Sequence, residues 1–475
     1  MPFFSKYKNV LLIFSSILLY IFFAYFLERT EFNILISLWF ALFGCFYLLM
    51  QNKQISFSTL VCIAILFRLI FLFATPNLSQ DFYRFIWDGR MLFEGLNPYV
   101  TLPENIVQQN SFPIADAEEL YAGMGELNGS HYTNYPPLNQ LCFFIAALFA
   151  SKSIFGSVIV FRLIIILADI GILYVGKKLL EKLNLPIKNI FWYILNPFII
   201  IEMTGNLHFE PVMLFFFIFG MYKLYQQKWA LAAILIGCSI SVKLIPLLFL
   251  PLFFQWFVCK NKTSKDLKPL EFSAEEKTSM KWIGFKFHPK KLLQLILFYI
   301  ITILTVVILF LPFLSSTLIE NYSKSVGLWF GKFEFNASFY YLFREIGYLF
   351  RGYNEIAIIG KRTPILTILI LILLTFFRKN TKLKQVFTAM LFGLCFYYFT
   401  STTVHPWYLA TPIILSVFTK YKFPIVWSFV IILSYQAYAN NPWEENLWFV
   451  GLEYLVVYSF IFYEIRRFHR KKMIN

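Results

Sequence analysis

The chain has 475 residues, of which 59% are hydrophobic and 14% charged, against roughly 25% charged in an ordinary soluble domain. With a mean hydropathy of +0.65 and 59 Phe, 28 Tyr and 11 Trp, polar surface is too scarce for a water-soluble particle. The composition indicates an all-α polytopic membrane protein and excludes disorder, collagen and a disulfide scaffold. The net charge of +16 serves membrane orientation, which also needs lysine and arginine, so no nucleic-acid partner is expected.

Apolar runs of about 17–25 residues cross a bilayer as helices. They are clear near 9–27, 33–50, 56–74, 154–175, 293–313, 385–403, 424–438 and 447–464. Shorter or interrupted runs lie near 190–204, 211–226, 230–243, 245–258, 363–378 and 406–419. This predicts about 12–14 transmembrane helices in a single integral membrane domain. Its parts are N-terminal helices over 1–75, a long loop over 76–136, short core helices over 137–258, a basic loop over 259–291 and C-terminal helices over 292–475. The first run follows Lys6 and Lys8 as a signal peptide would, but it lacks an Ala-x-Ala-like site and reads as a retained helix.

The long loop opens with Gln80-Asp81-Phe82-Tyr83-Arg84-Phe85-Ile86-Trp87-Asp88-Gly89-Arg90. Helical spacing places Asp81, Arg84 and Asp88 on one face and Phe82, Phe85 and Ile86 on another. That pattern predicts a helix lying at the membrane surface, with aromatic anchors below and a charged row above. Arg84–Asp88 and Arg90–Glu94 are its expected pairs, and Asp81 is left without a local partner beside the preceding span. Gly95, Asn97 and Pro98 end it.

The segment 137–150, after Tyr135-Pro136, is too short for a span and is expected to be re-entrant or interfacial. Counting it as a crossing would put the nine lysines between Lys260 and Lys291 outside, against the positive-inside rule. With a cytoplasmic N-terminus, Lys177, Lys178, Lys182, Lys188 and the tail Arg466-Arg467 fall inside, and most acids fall outside. Arg68, Arg162, Asp169 and Glu453 lie within apolar runs. Such groups face a cavity or a partner, and Arg162 is the weak candidate partner of Asp169.

Several polar clusters recur on the expected outer side. Glu202-Met203-Thr204-Gly205-Asn206-Leu207-His208-Phe209-Glu210 separates two short helices, and its two carboxylates and histidine exceed what a turn needs. Ser241-Val242-Lys243, Phe335-Asn336-Ala337-Ser338 and Thr403-Val404-His405-Pro406-Trp407-Tyr408 complete the set. Each alone also fits a helix anchor or a snorkelling lysine; together they mark one chemical face. Metal-ligand spacings, a Walker loop and a Gly-x-Gly-x-x-Gly turn are missing from the sequence. No cofactor or nucleotide is therefore expected, although Asp81 and Asp88 could hold a divalent cation.

The run Asp81-x-Tyr83-Arg84-Phe85-x-Trp87-Asp88-Gly89-Arg90 with Gly95-x-Asn97-Pro98-Tyr99 resembles the first outer loop of bacterial GT-C glycosyltransferases. It is most similar to the family-87-like group of polyprenyl-phosphate-mannose-dependent mannosyltransferases. Tyr135-Pro136-Pro137-Leu138, Asn196-Pro197, Glu202-x-x-Gly205-Asn206-x-His208-x-Glu210, Lys243-Leu244-x-Pro246 and His405-Pro406-Trp407-Tyr408 follow in order. Glu210 stands where the group often carries Asp.

The resemblance implies a GT-C-like helical bundle with interfacial helices in its first extracytoplasmic loop. It also implies inverting transfer of a hexose, mannose first, from a polyprenyl-phosphate donor to a glycan or glycolipid acceptor outside a bacterial inner membrane. Asp81 is the implied general base and Asp88 the second choice, since Arg84 would lower its basicity. Lys243 and His405 are expected at the leaving phosphate, with Arg90 and Arg344 as further candidates; Arg84, Glu202, Asn206, His208, Glu210, Trp407 and Tyr408 complete the expected substrate site. The readings from other classes are a transporter or flippase of a lipid-linked sugar, and a ligase or polymerase acting on lipid-pyrophosphate glycans.

Overall fold

The computed structural model describes residues 2–109, 112–259, 280–282, 285–287, 289–331 and 333–474. Most of the basic loop expected over 259–291 therefore lies outside the described residues. The described chain is helical throughout, apart from a two-stranded hairpin, Met280–Trp282 with Phe285–Phe287, and a single bridge between Phe335 and Thr403.

Six helices are long and apolar enough to cross a bilayer: Tyr7–Tyr25, Phe32–Gln51, Ile154–Lys182, Pro289–Phe313, Ile356–Phe376 and Leu447–Arg470. The pair Ile199–Gly205 and Glu210–Tyr225, bent by 111°, makes a seventh if it is one broken span. Phe57–Ile70, Pro137–Ala150, Trp229–Ile240, Ile245–Val258, Pro406–Val417 and Phe423–Ala439 are apolar but have 10–17 residues. At about 1.5 Å per residue the α-helical ones fall short of the roughly 30 Å hydrocarbon core, whereas Phe423–Ala439, half of it 3-10 helix rising about 2.0 Å per residue, comes close to that length. By length and composition, six or seven helices among the described residues pass for full crossings, against the 12–14 expected. Interruption is the reason: the run at 245–258 is 3-10 helical over Ile245–Phe253, where Pro246 and Pro251 remove backbone donors. The run at 424–438 divides into Phe423–Val430 and a 3-10 stretch, Ile431–Ala439.

The helix predicted over the start of the long loop is present as Asp81–Phe93, but it does not lie on a surface. Phe82, Phe85, Ile86, Trp87, Arg84, Asp88 and Arg90 are all buried. It packs against Ala117–Gly129 and Pro137–Ala150, and the latter packs in turn on Ile154–Lys182. At Gly89 any Cβ would lie 2.3 Å from the Phe143 carbonyl oxygen, so only glycine permits this crossing. The segment 137–150 is a single helix, Pro137–Ala150, that buries Asn139, Gln140, Cys142, Phe143 and Ala146 and leaves Leu141, Leu148 and Phe149 exposed.

Burial makes the charged pairs internal. Arg84 Nε donates to Asp88 Oδ1 at 2.9 Å, as expected, and Gln140 Nε2 donates to Asp88 Oδ2 at 2.9 Å. Arg90 pairs with Asp116 at 2.9 Å, not with Glu94. The expected Arg162–Asp169 pairing is also replaced. Asp169 takes Arg68 Nε at 2.9 Å from a different helix, and Arg68 Nη1 donates to the Ile194 and Ala64 carbonyls. Arg162 instead ties four carbonyl oxygens together: Thr204 at 2.8 Å, Gly205 at 2.9 Å, Leu72 at 3.0 Å and Ala74 at 2.7 Å. Glu453 accepts from Trp427 Nε1 and Asn336 Nδ2. Each of these buried groups thus has hydrogen-bonded partners, as a low-dielectric interior requires.

Candidate active site

The site is built where helices break. Ile199–Gly205 is π-helical, a register that recurs at functional sites. Leu207 follows at φ +64°, a backbone costly for a residue with a Cβ. The Arg162 guanidinium stabilises the break by binding the Thr204 and Gly205 carbonyls, which the bend leaves without helical donors. Asn206 Oδ1 accepts from Leu78 N at 3.1 Å, which fixes the chain entering Asp81. A second interruption, at Ser401–His405, is held by Phe335 N donating to Thr402 O at 3.1 Å and Val404 N to Phe335 O at 2.8 Å.

These breaks converge on one cavity of about 890 Å3, within the usual range for ligand pockets. Asp81, His208, Glu210, Lys243, His405, Trp407 and Tyr408 line it together, although they span more than 300 residues of sequence. The lining also has an apolar part, with Leu244, Ile245, Leu247, Leu248, Pro364 and Ile368.

Within the cavity, the Asp81 carboxyl accepts one side-chain hydrogen bond among the described residues, from Asn128 Nδ2 at 3.4 Å. Burial pushes its carboxyl above the ordinary carboxylate range, while the Lys243 ammonium and the Asn128 amide pull it back. Lys243 is hydrogen-bonded to Glu210, so its charge is locally neutralised. The Trp407 indole is sandwiched between two imidazoles: His208 at 4.0 Å and 18°, and His405 at 4.5 Å and 4°. Phe335 extends the column from His405 at 5.4 Å. Burial, assisted by the Lys243 charge, lowers the His405 imidazole to about 3. With its proton affinity lowered in this way, His405 would meet a ligand near pH 7 as a neutral imidazole.

The remaining expected residues divide by position. Glu202 is fully buried behind the cavity, accepting from Tyr435 Oη at 2.6 Å, with its second oxygen 3.8 Å from His208 Nε2. Asn206 is a brace rather than a wall residue. Asp88, Arg84 and Arg90 do not line the cavity. Arg84 donates to the Asn128 and His131 carbonyls as well as to Asp88, and Arg90 to the Ala115 and Lys152 carbonyls, which makes both cross-links of the 81–152 layer. Arg344 is held by Glu334 at 2.8 Å and Glu345 at 3.0 Å, away from the cavity wall.

Other wall residues escape a reading by sequence. Arg29, in the connection between the first two long helices, lines the cavity with its guanidinium 4.3 Å from the Tyr438 ring centre. Asn128, Tyr397, Tyr398, Tyr438 and Trp443 also line it. Their signal is weak because tyrosine and tryptophan in apolar runs look like core or interface anchors.

A model of the alpha-(1->6)-mannopyranosyltransferase family, N-terminal domain, matches residues 17–260, more than half of the chain. The matched stretch contains Asp81, His208, Glu210 and Lys243, and the His405–Tyr408 wall lies beyond it. No curated protein matches the chain.

Proposed function

The chain belongs to the alpha-(1->6)-mannopyranosyltransferase family, and from that premise we propose that it transfers mannose from a polyprenyl-phosphate donor to a glycan or glycolipid acceptor. The proposed site is the cavity holding Asp81, on the extracytoplasmic side of a bacterial inner membrane. The observation that carries the reading is the sharing of one cavity by a sparsely bonded carboxyl, a cation and an apolar flank: Asp81, Lys243 and the Leu244–Leu248 wall.

The chemistry follows from these positions. Asp81 takes the proton of the acceptor hydroxyl as that oxygen bonds to the anomeric carbon, and its raised affinity for protons suits a general base. The bond from that carbon to the phosphate oxygen breaks, and the departing lipid phosphate keeps the electron pair. Lys243 supplies positive charge and His405 a neutral donor for the oxygens gaining charge. A single displacement inverts the anomeric centre, so an α product calls for a β-linked donor. Trp407, with His208 and His405 stacked on its faces, has only its edge to offer the sugar, and Tyr408 lies perpendicular to the His405 ring beside it. The apolar flank suits the first isoprene units. No cofactor enters this scheme.

The deciding experiment uses the purified protein with polyprenyl-phosphate mannose and mannose-terminated acceptors, with linkage analysis of the product. α-1,6-linked mannose is expected from the wild type, and loss of transfer in a folded Asp81→Asn variant. Full activity in that variant would falsify the role given to Asp81. A second reading, a carrier for lipid-linked sugar, is favoured by the 111° helix break, since transporters bind substrate at broken helices. Carriers pair such breaks between repeats, and one bent pair occurs among the described residues. Absence of turnover with every donor, together with movement of lipid-linked sugar across vesicles, would favour the carrier.

A further inference from the structure

The helix Phe339–Arg351 is built inside out. Phe339, Leu342, Phe343, Ile346, Leu349 and Phe350 recur at intervals of three and four and form one stripe. In a water-facing helix that stripe would turn to the core. Here it turns away: Leu349 is 85% and Phe350 84% exposed, and the other four are also exposed.

The opposite, polar face is the one that packs. Tyr340 is fully buried and its hydroxyl bonds to Glu334 at 2.6 Å and Asn354 at 3.0 Å. Tyr341 bonds to Glu445, and Arg344 to Glu334. Rotating the apolar stripe inward would break all of these bonds, so the orientation is fixed by the protein itself.

We propose that this helix lies in the headgroup layer of the bilayer with its apolar stripe inserted among the acyl chains. An exposed apolar patch of this kind marks an interaction site, and three features select lipid as its occupant. The stripe carries no charge over its whole length, while Glu345 and Arg351, both 58% exposed at the side chain, flank it. Tyr348 and Tyr353 are exposed at its edges, as aromatic residues are at a membrane boundary. The chain then continues into Ile356–Phe376, a membrane-length helix that exposes Ile358, Ile365, Ile368 and Leu369. The stripe thus extends a lipid-facing surface that the fold already presents.

The arrangement also links the membrane surface to the cavity. Glu445, held by Tyr341, accepts from Asn336 N at 2.7 Å, and the neighbouring Phe335 pairs with the Thr402–Val404 segment that ends in His405.

The test places a photoactivatable benzophenone amino acid at position 349 or 350 of the full-length protein in phosphatidylcholine–phosphatidylglycerol vesicles. Position 345, on the polar edge of the same helix, serves as control. Irradiation is expected to give at least about tenfold more phospholipid adduct at 349 and 350 than at 345, read by mass spectrometry. Adduct no greater than at 345, or crosslinking to a second copy of the chain in place of lipid, would overturn the proposal. Positions 349 and 350 are exposed and lie on the apolar stripe, and a substitution at 345 gives up the Arg344–Glu345 pair but keeps Arg344 bonded to Glu334.

Discussion

The His405 ring lies flat against the Trp407 indole, with centroids 4.5 Å apart and planes 4° from parallel. On the other face of the same indole lies His208. One tryptophan therefore sets the position of two imidazoles from distant parts of the chain. Stacked aromatic pairs contribute about 0.5–1.5 kcal/mol each beyond area burial. Trp407→Ala is expected to lower kcat/KM by at least about tenfold, and Trp407→Phe by much less. Initial rates at matched folded protein, with size-exclusion profiles as the control, check this.

The pH profile should carry the signature of Asp81. Burial raises its pKa above the ordinary carboxylate value of about 3.9, and the base works only when deprotonated. As pH falls, kcat/KM should decline through a midpoint above that ordinary value, and recover as pH rises. In Asp81→Asn the residual rate should be lower by about 10²–10⁴-fold and lack this limb. An unchanged acid limb in the variant would assign the titration to another group.

Lys243 and Glu210 are paired in the cavity wall, so a phosphate must compete with Glu210 for the ammonium. Lys243→Met is expected to raise the donor KM by about tenfold or more, the effect of losing a charge-assisted bond of about 1.5–3 kcal/mol. Glu210→Gln should move the donor KM in the opposite direction, because the ammonium is then unengaged. Separate donor and acceptor saturation curves distinguish these effects from a general loss.

The Arg68–Asp169 pair is buried and links two helices, and neither residue lines the cavity. Asp169→Asn or Arg68→Met should destabilise the protein by about 3–5 kcal/mol, since each leaves one buried charge uncompensated. Replacing both by apolar residues should restore much of that loss. Thermal unfolding in detergent measures it, and the activity per folded molecule should change little.

Arg162→Met tests the helix break separately. It removes four hydrogen bonds to the carbonyls of Leu72, Ala74, Thr204 and Gly205. The π-helical turn should then relax toward regular helix and displace His208 and Glu210. Activity is expected to fall further than stability alone explains, measured as kcat/KM on protein that elutes as a single folded species.

Much of the chemistry is readable along the chain, because a surplus of polar groups stands out against an apolar background. Asp81, His208, Glu210, Lys243, His405, Trp407 and Tyr408 were each conspicuous for that reason, and all line the cavity. Asp88, Arg84 and Arg90 were equally conspicuous but brace the interior. Spacing shows that they share a helix; it cannot show that Pro137–Ala150 and Ala117–Gly129 cover that helix on both sides. Arg29 stayed hidden because a lone arginine in a short connection carries no pattern.

Composition and local spacing were enough to determine a helical membrane protein and to single out acids, histidines and a lysine that line one cavity. They act through the bilayer and the helix repeat, which are local properties of the chain. Partners were decided by the tertiary structure: Asp169 with Arg68 and not Arg162, Arg90 with Asp116 and not Glu94. Which charge neutralises which depends on distances between segments up to a hundred residues apart, and those are fixed only when helices pack and break around a common cavity.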